Sequence, residues 1–237
     1  MFYTRSPEAF GYTKIPFIET ELIRRLRELD AVSREGIFRL SGLNSSVYDL
    51  CHELNDGVDV DWEKYKDPNV VACTLKKYFR DSEPIISIEL FNQMATALSN
   101  GDDKLGLMKE LLGKLTLPRR LMLSYLMEYL REVINNKDVN KMGVSNLSII
   151  FSACLIESRG TGVDALFNNQ SQRMVMDFII KNSQELFEPV PQSAIMTGDD
   201  IEFIKHEPYE LDNPSNILKT MEFRRRSTIT YVQSSVD

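Results

Sequence analysis

Histidine is nearly absent from this chain of 237 residues, which carries only His52 and His206. Neither has a second histidine or a cysteine at helical spacing, which argues against a His-containing zinc site and against a Ser-His-Asp triad. Cysteine is scarce too. Cys51, Cys73 and Cys154 are isolated, odd in number and form no CxxC pair, so they read as reduced thiols of a cytosolic protein and not as a secreted disulfide framework. No run of about 18 apolar residues occurs, so no segment reads as transmembrane. The stretch from Met1 to Thr13 is polar and aromatic and lacks the apolar core of a signal peptide. Positive charge is in deficit: the formal net charge of −7 argues against nucleic acid as the main partner, and any basic surface must be local. Paired carboxylates, a Gly-rich phosphate loop, clustered metal ligands and a nucleophile–base pair are all missing, so the chain does not read as an enzyme with its own small substrate.

A hydrophobic content of 43% is enough for a sizeable core. From Ile15 to Pro189 the apolar residues recur at three and four, the signature of successive helices. Pro16 opens the first (Ile18, Leu22, Leu26, Leu29), and Asn44 or Ser45 caps the second (Val47, Leu50, Cys51, Leu54). Asp67-Pro68 starts a third that buries Val71, Ala72, Leu75, Tyr78 and Phe79. Ser87 begins a fourth, closed by Asn100-Gly101, and a fifth carries Leu105, Met108, Leu112 and Leu115. Pro118 starts the longest, apolar almost all round to Ile134 and therefore central. Val144 to Ile156 and Gln172 to Phe187 follow. No segment alternates with a period of two, so the reading is an all-α domain of about eight or nine helices. The boundaries are an extension over 1–14, the helical domain over 15–189 and a tail over 190–237 that is broken by prolines, acidic and then basic. Arg224-Arg225-Arg226 precedes Ser227 and Thr228, a pattern suited to basophilic kinases; the competing reading is a basic patch that aids solubility or touches anionic lipid.

Three features could carry chemistry. Gly36-Ile37-Phe38-Arg39-Leu40-Ser41-Gly42 sets one arginine between greasy neighbours, with Phe38 and Leu40 expected to anchor the loop while Arg39 projects outward. In the third helix Asn69, Cys73, Lys76 and Arg80 fall off the apolar stripe. Lys76 and Arg80 lie one turn apart and Lys77 adds a charge nearby; such a face is either simply solvated or meets an acidic or carbonyl-rich surface. Asn146 falls in the first turn of the Val144 helix, off the Leu147, Ile150, Phe151, Leu155 face, where an asparagine is commonly a local cap.

Taken together these segments resemble the RhoGAP domain, the GTPase-activating module for Rho/Rac-type small G proteins. The residues that carry the likeness are Glu35-Gly36-Ile37-Phe38-Arg39 with Ser41-Gly42, Val71 with Leu75-Lys76, Tyr78-Phe79-Arg80-Asp81 and Glu83-Pro84, Leu117-Pro118, Asn140-Lys141-Met142, and Asn146-Leu147 with Phe151. The resemblance implies that Arg39 is an arginine finger, that Lys76 and Asn146 engage the G protein, and that Arg80, with Gly36 and Phe38, supports the finger loop. It implies a GTP-bound Rho/Rac-type partner that owns the GTP and Mg²⁺, so the chain needs no cofactor or metal of its own, and a monomeric cytoplasmic regulator that its partner can bring to membranes. The alternative is a G-protein-binding module of the same fold that does not accelerate hydrolysis. Two departures stand out: the turn Asp81-Ser82-Glu83-Pro84 is one residue shorter than the family's, and Cys154 stands where an asparagine is usual, removing a polar contact expected at the interface.

Overall fold

A computed structural model of the chain describes residues 14–56, 60–157 and 163–195. The expected extension, the tail and Ser227 and Thr228 lie essentially outside these residues. The described residues form ten α-helices and no strand, only isolated bridges at Ile15–Ile195 and Ile86–Ile156. Backbone contacts divide the chain into two compact units.

The first unit comprises described residues of 14–29, 41–83 and 191–195. It holds α1 (Phe17–Glu28), α2 (Asn44–Asp56) and α3 (Pro68–Asp81), with α1 and α2 both packed on α3. The start of α3 is dictated locally. The Asp67 carboxylate accepts from the Asn69 amide at 3.0 Å, and Pro68 occupies the first turn, where its missing N–H costs nothing. Val71, Ala72, Leu75, Tyr78 and Phe79 are all buried. The α1 stripe is wider than its period suggests, because Glu19 and Ile23 are buried beside Ile18, Leu22 and Leu26.

The second unit comprises residues 30–40 and described residues of 84–190. It contains a 3₁₀ turn at Ala31–Ser33, then α4 (Ile88–Asn100), α5 (Lys104–Gly113), α6 (Leu117–Asn135), α7 (Lys137–Asn140), α8 (Val144–Leu155), α9 (Val163–Lys181) and α10 (Ser183–Leu186). Met122, Leu123, Leu126, Tyr129, Leu130 and Val133 bury α6 on most sides, as expected of a central helix. After α10 the chain is tied back to α6 by Ser124 Oγ donating to the Glu188 carbonyl and by the Val190 N–H donating to Glu128.

One expectation needs correction, and two details go beyond what was expected. α9 begins at Val163, well before Gln172, and so matches α6 in length at 19 residues; the polar run Asn168-Asn169-Gln170-Ser171 hides its period. The two four-residue helices α7 and α10 are too short to show any period. Gly101 closes α4 at φ −86°, not in the left-handed region: a Cβ there would lie 2.5 Å from Leu107 Cδ1 and 2.6 Å from the Ala97 carbonyl, so close approach is what requires glycine.

Candidate functional site

The segment around Arg39 is held almost everywhere except at Arg39 itself. Ile37 and Phe38 are fully buried. The Phe38 ring packs edge-on against Phe151 of α8 at 5.1 Å and against Tyr129 of α6 at 6.2 Å. A single tight turn follows, in which the N–H groups of Arg39 and Leu40 both donate to the Gly36 carbonyl, at 2.9 and 2.8 Å. Two residues of the turn are left-handed. Gly36 has φ +71°, where glycine is at ease, but Phe38 has φ +66°, a strained conformation for a bulky side chain that costs about 1–3 kcal/mol. Burial of the ring offsets that cost.

The Arg39 side chain is exposed, and it makes no hydrogen bond or ion pair with any described residue. A methyl group added at Gly36 would lie 2.8 Å from Leu40 Cγ and 3.6 Å from a guanidinium nitrogen of Arg39, so the glycine leaves room for both side chains. The expectation that Leu40 anchors the loop is not met. Leu40 is 46% exposed and Leu43 67%, while the anchor is Ile37-Phe38. In a left-handed turn the alternation of an extended segment does not hold, so Leu40 is not brought to the face of Phe38. Gly42 is buried, and a Cβ there would lie 2.5 Å from the Val70 backbone nitrogen at the start of α3.

On the same unit as Arg39, Asn140 ends α7 as a fully buried polar residue, and Lys141 follows in the left-handed region at φ +62°. Asn146, in the first turn of α8, is half-buried; its Nδ2 donates to the Lys141 carbonyl at 3.1 Å and reaches Met142 Sδ at 3.7 Å. The asparagine therefore braces the turn ahead of its helix, and among the described residues none donates to its Oδ1. Cys154 is buried, so it belongs to the core of α8 and presents nothing to a partner; the exposed positions of this helix include Ile149 and Ala153.

Lys76 and Arg80 stand on α3 in the other unit, Lys76 half-buried and Arg80 exposed. The Arg80 side chain makes no hydrogen bond or ion pair with any described residue. Lys77 does not add to this pair: it donates to Asp81 at 2.9 Å, a hydrogen bond that raises its pKa, and it lies 5.5 Å from the centre of the Tyr48 ring. Asn69 is buried beside Asp67 and leaves the face altogether. The turn after α3 is closed by Ser82, whose N–H and Oγ both donate to the Tyr78 carbonyl, and the Pro84 carbonyl accepts from Arg119 at 2.7 Å. No group of His, Cys, Asp or Glu able to hold a metal is found among the described residues. Cys51 is buried and its thiol is pushed up to about 12 by desolvation, so it is no nucleophile.

Known proteins bear on this arrangement. The model of the RhoGAP domain matches residues 16–160. Among curated relatives, the Rho GTPase-activating protein gacY of Dictyostelium discoideum is 35% identical over 159 residues, 65% of this chain and 22% of that protein. Beta-chimaerin of Mus musculus is 30% identical over 171 residues, 68% of this chain and 52% of that protein. The chain thus spans about half or less of either relative. Among solved structures, human Rho GTPase activating protein 15 superposes with a TM-score of 0.69 at 21% identity, over 73% of this chain and 84% of that one. The BH domain from GRAF, the GTPase regulator associated with focal adhesion kinase, gives 0.61 at 25% identity, over 74% and 97%. With more than half its length matched by that family model, the chain belongs to the RhoGAP domain family.

Proposed function

We propose that this chain activates GTP hydrolysis by a GTP-loaded Rho/Rac-type small G protein, inserting Arg39 into the partner's active site. Slow intrinsic hydrolysis reflects charge that builds on the γ-phosphoryl and leaving oxygens without full compensation. Arginine suits the task because its guanidinium stays protonated and its planar fork bridges two oxygens. A finger supplied in trans is worth roughly 10³–10⁵ in rate, about 4–7 kcal/mol of barrier. The partner holds GTP and Mg²⁺, so the chain supplies no cofactor. Lys76 and Asn146 bind the partner, and Gly36 and Phe38 shape the finger loop.

One observation carries the reading: an exposed arginine sits between a strained, fully buried phenylalanine and a turn closed on Gly36. A surface arginine with no task has no need of such a mount, whereas a charge that must meet a transition state gains from being fixed beforehand. The test is single-turnover phosphate release from GTP-loaded Rho- and Rac-type proteins. Arg39→Ala is expected to abolish most stimulation while leaving binding to the GTP-loaded partner largely intact. Near-full activity in that variant would remove the finger, and binding without any stimulation by the wild-type chain would make it a docking module.

A further inference from the structure

We infer that Asn140 is the positioning residue of the finger loop, a role that rests on the reading of Arg39 above. An asparagine side chain offers two N–H donors and one carbonyl acceptor. At Asn140 all are used, inside the protein: Nδ2 donates to the Val32 carbonyl at 2.8 Å and to the Val133 carbonyl at 2.7 Å, and Oδ1 accepts from the Met142 N–H at 2.7 Å. Its main chain is engaged as well. The Asn140 N–H donates to the Asn136 carbonyl at 3.0 Å, and the Asn140 carbonyl accepts from the Gly36 N–H at 2.8 Å.

That last bond reaches the turn that carries Arg39. Gly36 has two attachments: its N–H is fixed to Asn140, and its carbonyl receives the N–H groups of Arg39 and Leu40. The side chain of Asn140 therefore fixes the peptide whose carbonyl fixes the turn. It does so by gripping three segments at once, the 3₁₀ turn before the finger at Val32, the last turn of α6 at Val133 and the approach to α8 at Met142. Lys141, the next residue, supplies the carbonyl that Asn146 grips, so the finger turn and Asn146 share one node.

No other side chain meets these demands. Aspartate keeps the acceptor for Met142 but sets an anion against two carbonyls. Leucine has the shape and satisfies none of the three groups, and glutamine is one methylene too long. In a fully buried site each unmet group must move towards a new partner, and the Asn140 peptide moves with it.

The test uses the whole chain carrying Asn140→Ala or Asn140→Asp, its folding checked by circular dichroism, with two readouts. In single-turnover hydrolysis by a GTP-loaded Rac-type protein, the saturating rate is expected to fall between about tenfold and 10²-fold, the cost of a displacement of about 1 Å at a reacting centre. The concentration giving half the effect should change far less. In amide hydrogen exchange, Gly36, Arg39 and Leu40 should lose protection well beyond the amides of α4 and α5. A folded variant with an unchanged saturating rate, or with exchange raised evenly throughout, overturns the assignment. If neither variant folds, exchange in the wild-type chain decides: the Gly36 N–H and the Asn140 side-chain amide must exchange as slowly as the α6 core, and solvent-like rates overturn the proposal. Exchange does not depend on any partner. A chain that stimulates no G protein, or keeps its activity in Arg39→Ala, therefore fails the function while leaving the positioning of the loop to be judged separately.

Discussion

The arginine at 39 and the cations at 76 and 80 are presented by opposite means. Around Arg39 the chain has no regular element to lean on, and each neighbour is fixed individually: Gly36 by a hydrogen bond, Ile37 by burial, and Phe38 by two aromatic contacts that hold it in a left-handed backbone. Lys76 and Arg80 need none of this. They inherit their positions from α3, whose capped start and apolar stripe fix every side chain on its other face together. A loop therefore places one charge at the cost of several dedicated contacts, while a helix places a row of them for the cost of its core. The first device is sensitive to single substitutions remote from the charge. The second is robust.

The strongest challenge to that contrast is Phe38→Ala. Removing the ring empties the space between α6 and α8 and should lower stability by about 3–5 kcal/mol, read by urea unfolding. Stimulated hydrolysis should fall beyond what the folded fraction explains, since Arg39 loses its neighbour. Phe38→Gly sharpens the point. Glycine ordinarily costs more than alanine, yet at φ +66° it should be no less stable than alanine, because it alone is at ease there. If alanine proves clearly the better of the two, the turn is not held left-handed in solution, and the rigid mount is lost from the argument.

A smaller effect is expected on the helical side. Lys76→Ala should leave the fold and the saturating rate nearly intact and raise the concentration of chain needed for half-maximal stimulation at least about tenfold, as for a lost charge-assisted contact of about 1.5–3 kcal/mol. A large fall in the saturating rate would mean that Lys76 acts on chemistry and that the division between the two devices is drawn in the wrong place.

How far the sequence foretold this contrast follows from the same physics. Most of the long helices were legible because burial along them repeats every three or four residues, and Asp67-Pro68 and Ser87 mark two starts by local capping; the first half of α9, hidden by its polar run, was the exception. Arg39 was legible because glycines and apolar residues bracket it. What holds it was not. The left-handed backbone at Phe38 has no signature, as the residue is neither glycine nor asparagine, and an extended reading of the loop wrongly made Leu40 an anchor. Asn140 was visible only as part of a motif. Its hydrogen bonds to Val32 and Val133 join segments far apart in sequence, and a polar residue that reads as a turn former gives no sign of being fully buried.

Glu19 yields the subtlest test, because its effect vanishes at acid pH. An acidic residue in the first turn of a helix is expected in solvent, where it favours the helix dipole. In α1 it is instead fully buried, and neither carboxylate oxygen has a hydrogen-bond partner among the described residues. Burial alone raises its pKa well above the ordinary 4.5. Below that value both the folded and the unfolded chain carry the proton, and the group leaves stability unaffected by pH. Above it the unfolded chain releases the proton while the folded chain keeps it, so the folded state binds more protons and stability falls as pH rises towards the native pKa. Glu19→Gln keeps the shape without the titration. Its stability should match the wild type near pH 4.5 and exceed it increasingly towards neutrality, measured by urea unfolding across that range. Parallel curves would show that the carboxyl finds water or a cation when the chain is folded. The helix that packs against α3 would then carry a solvated or paired acid in place of an orphaned one, and the unit that presents Lys76 and Arg80 would hold one more internal polar contact beside that of Asn69 with Asp67.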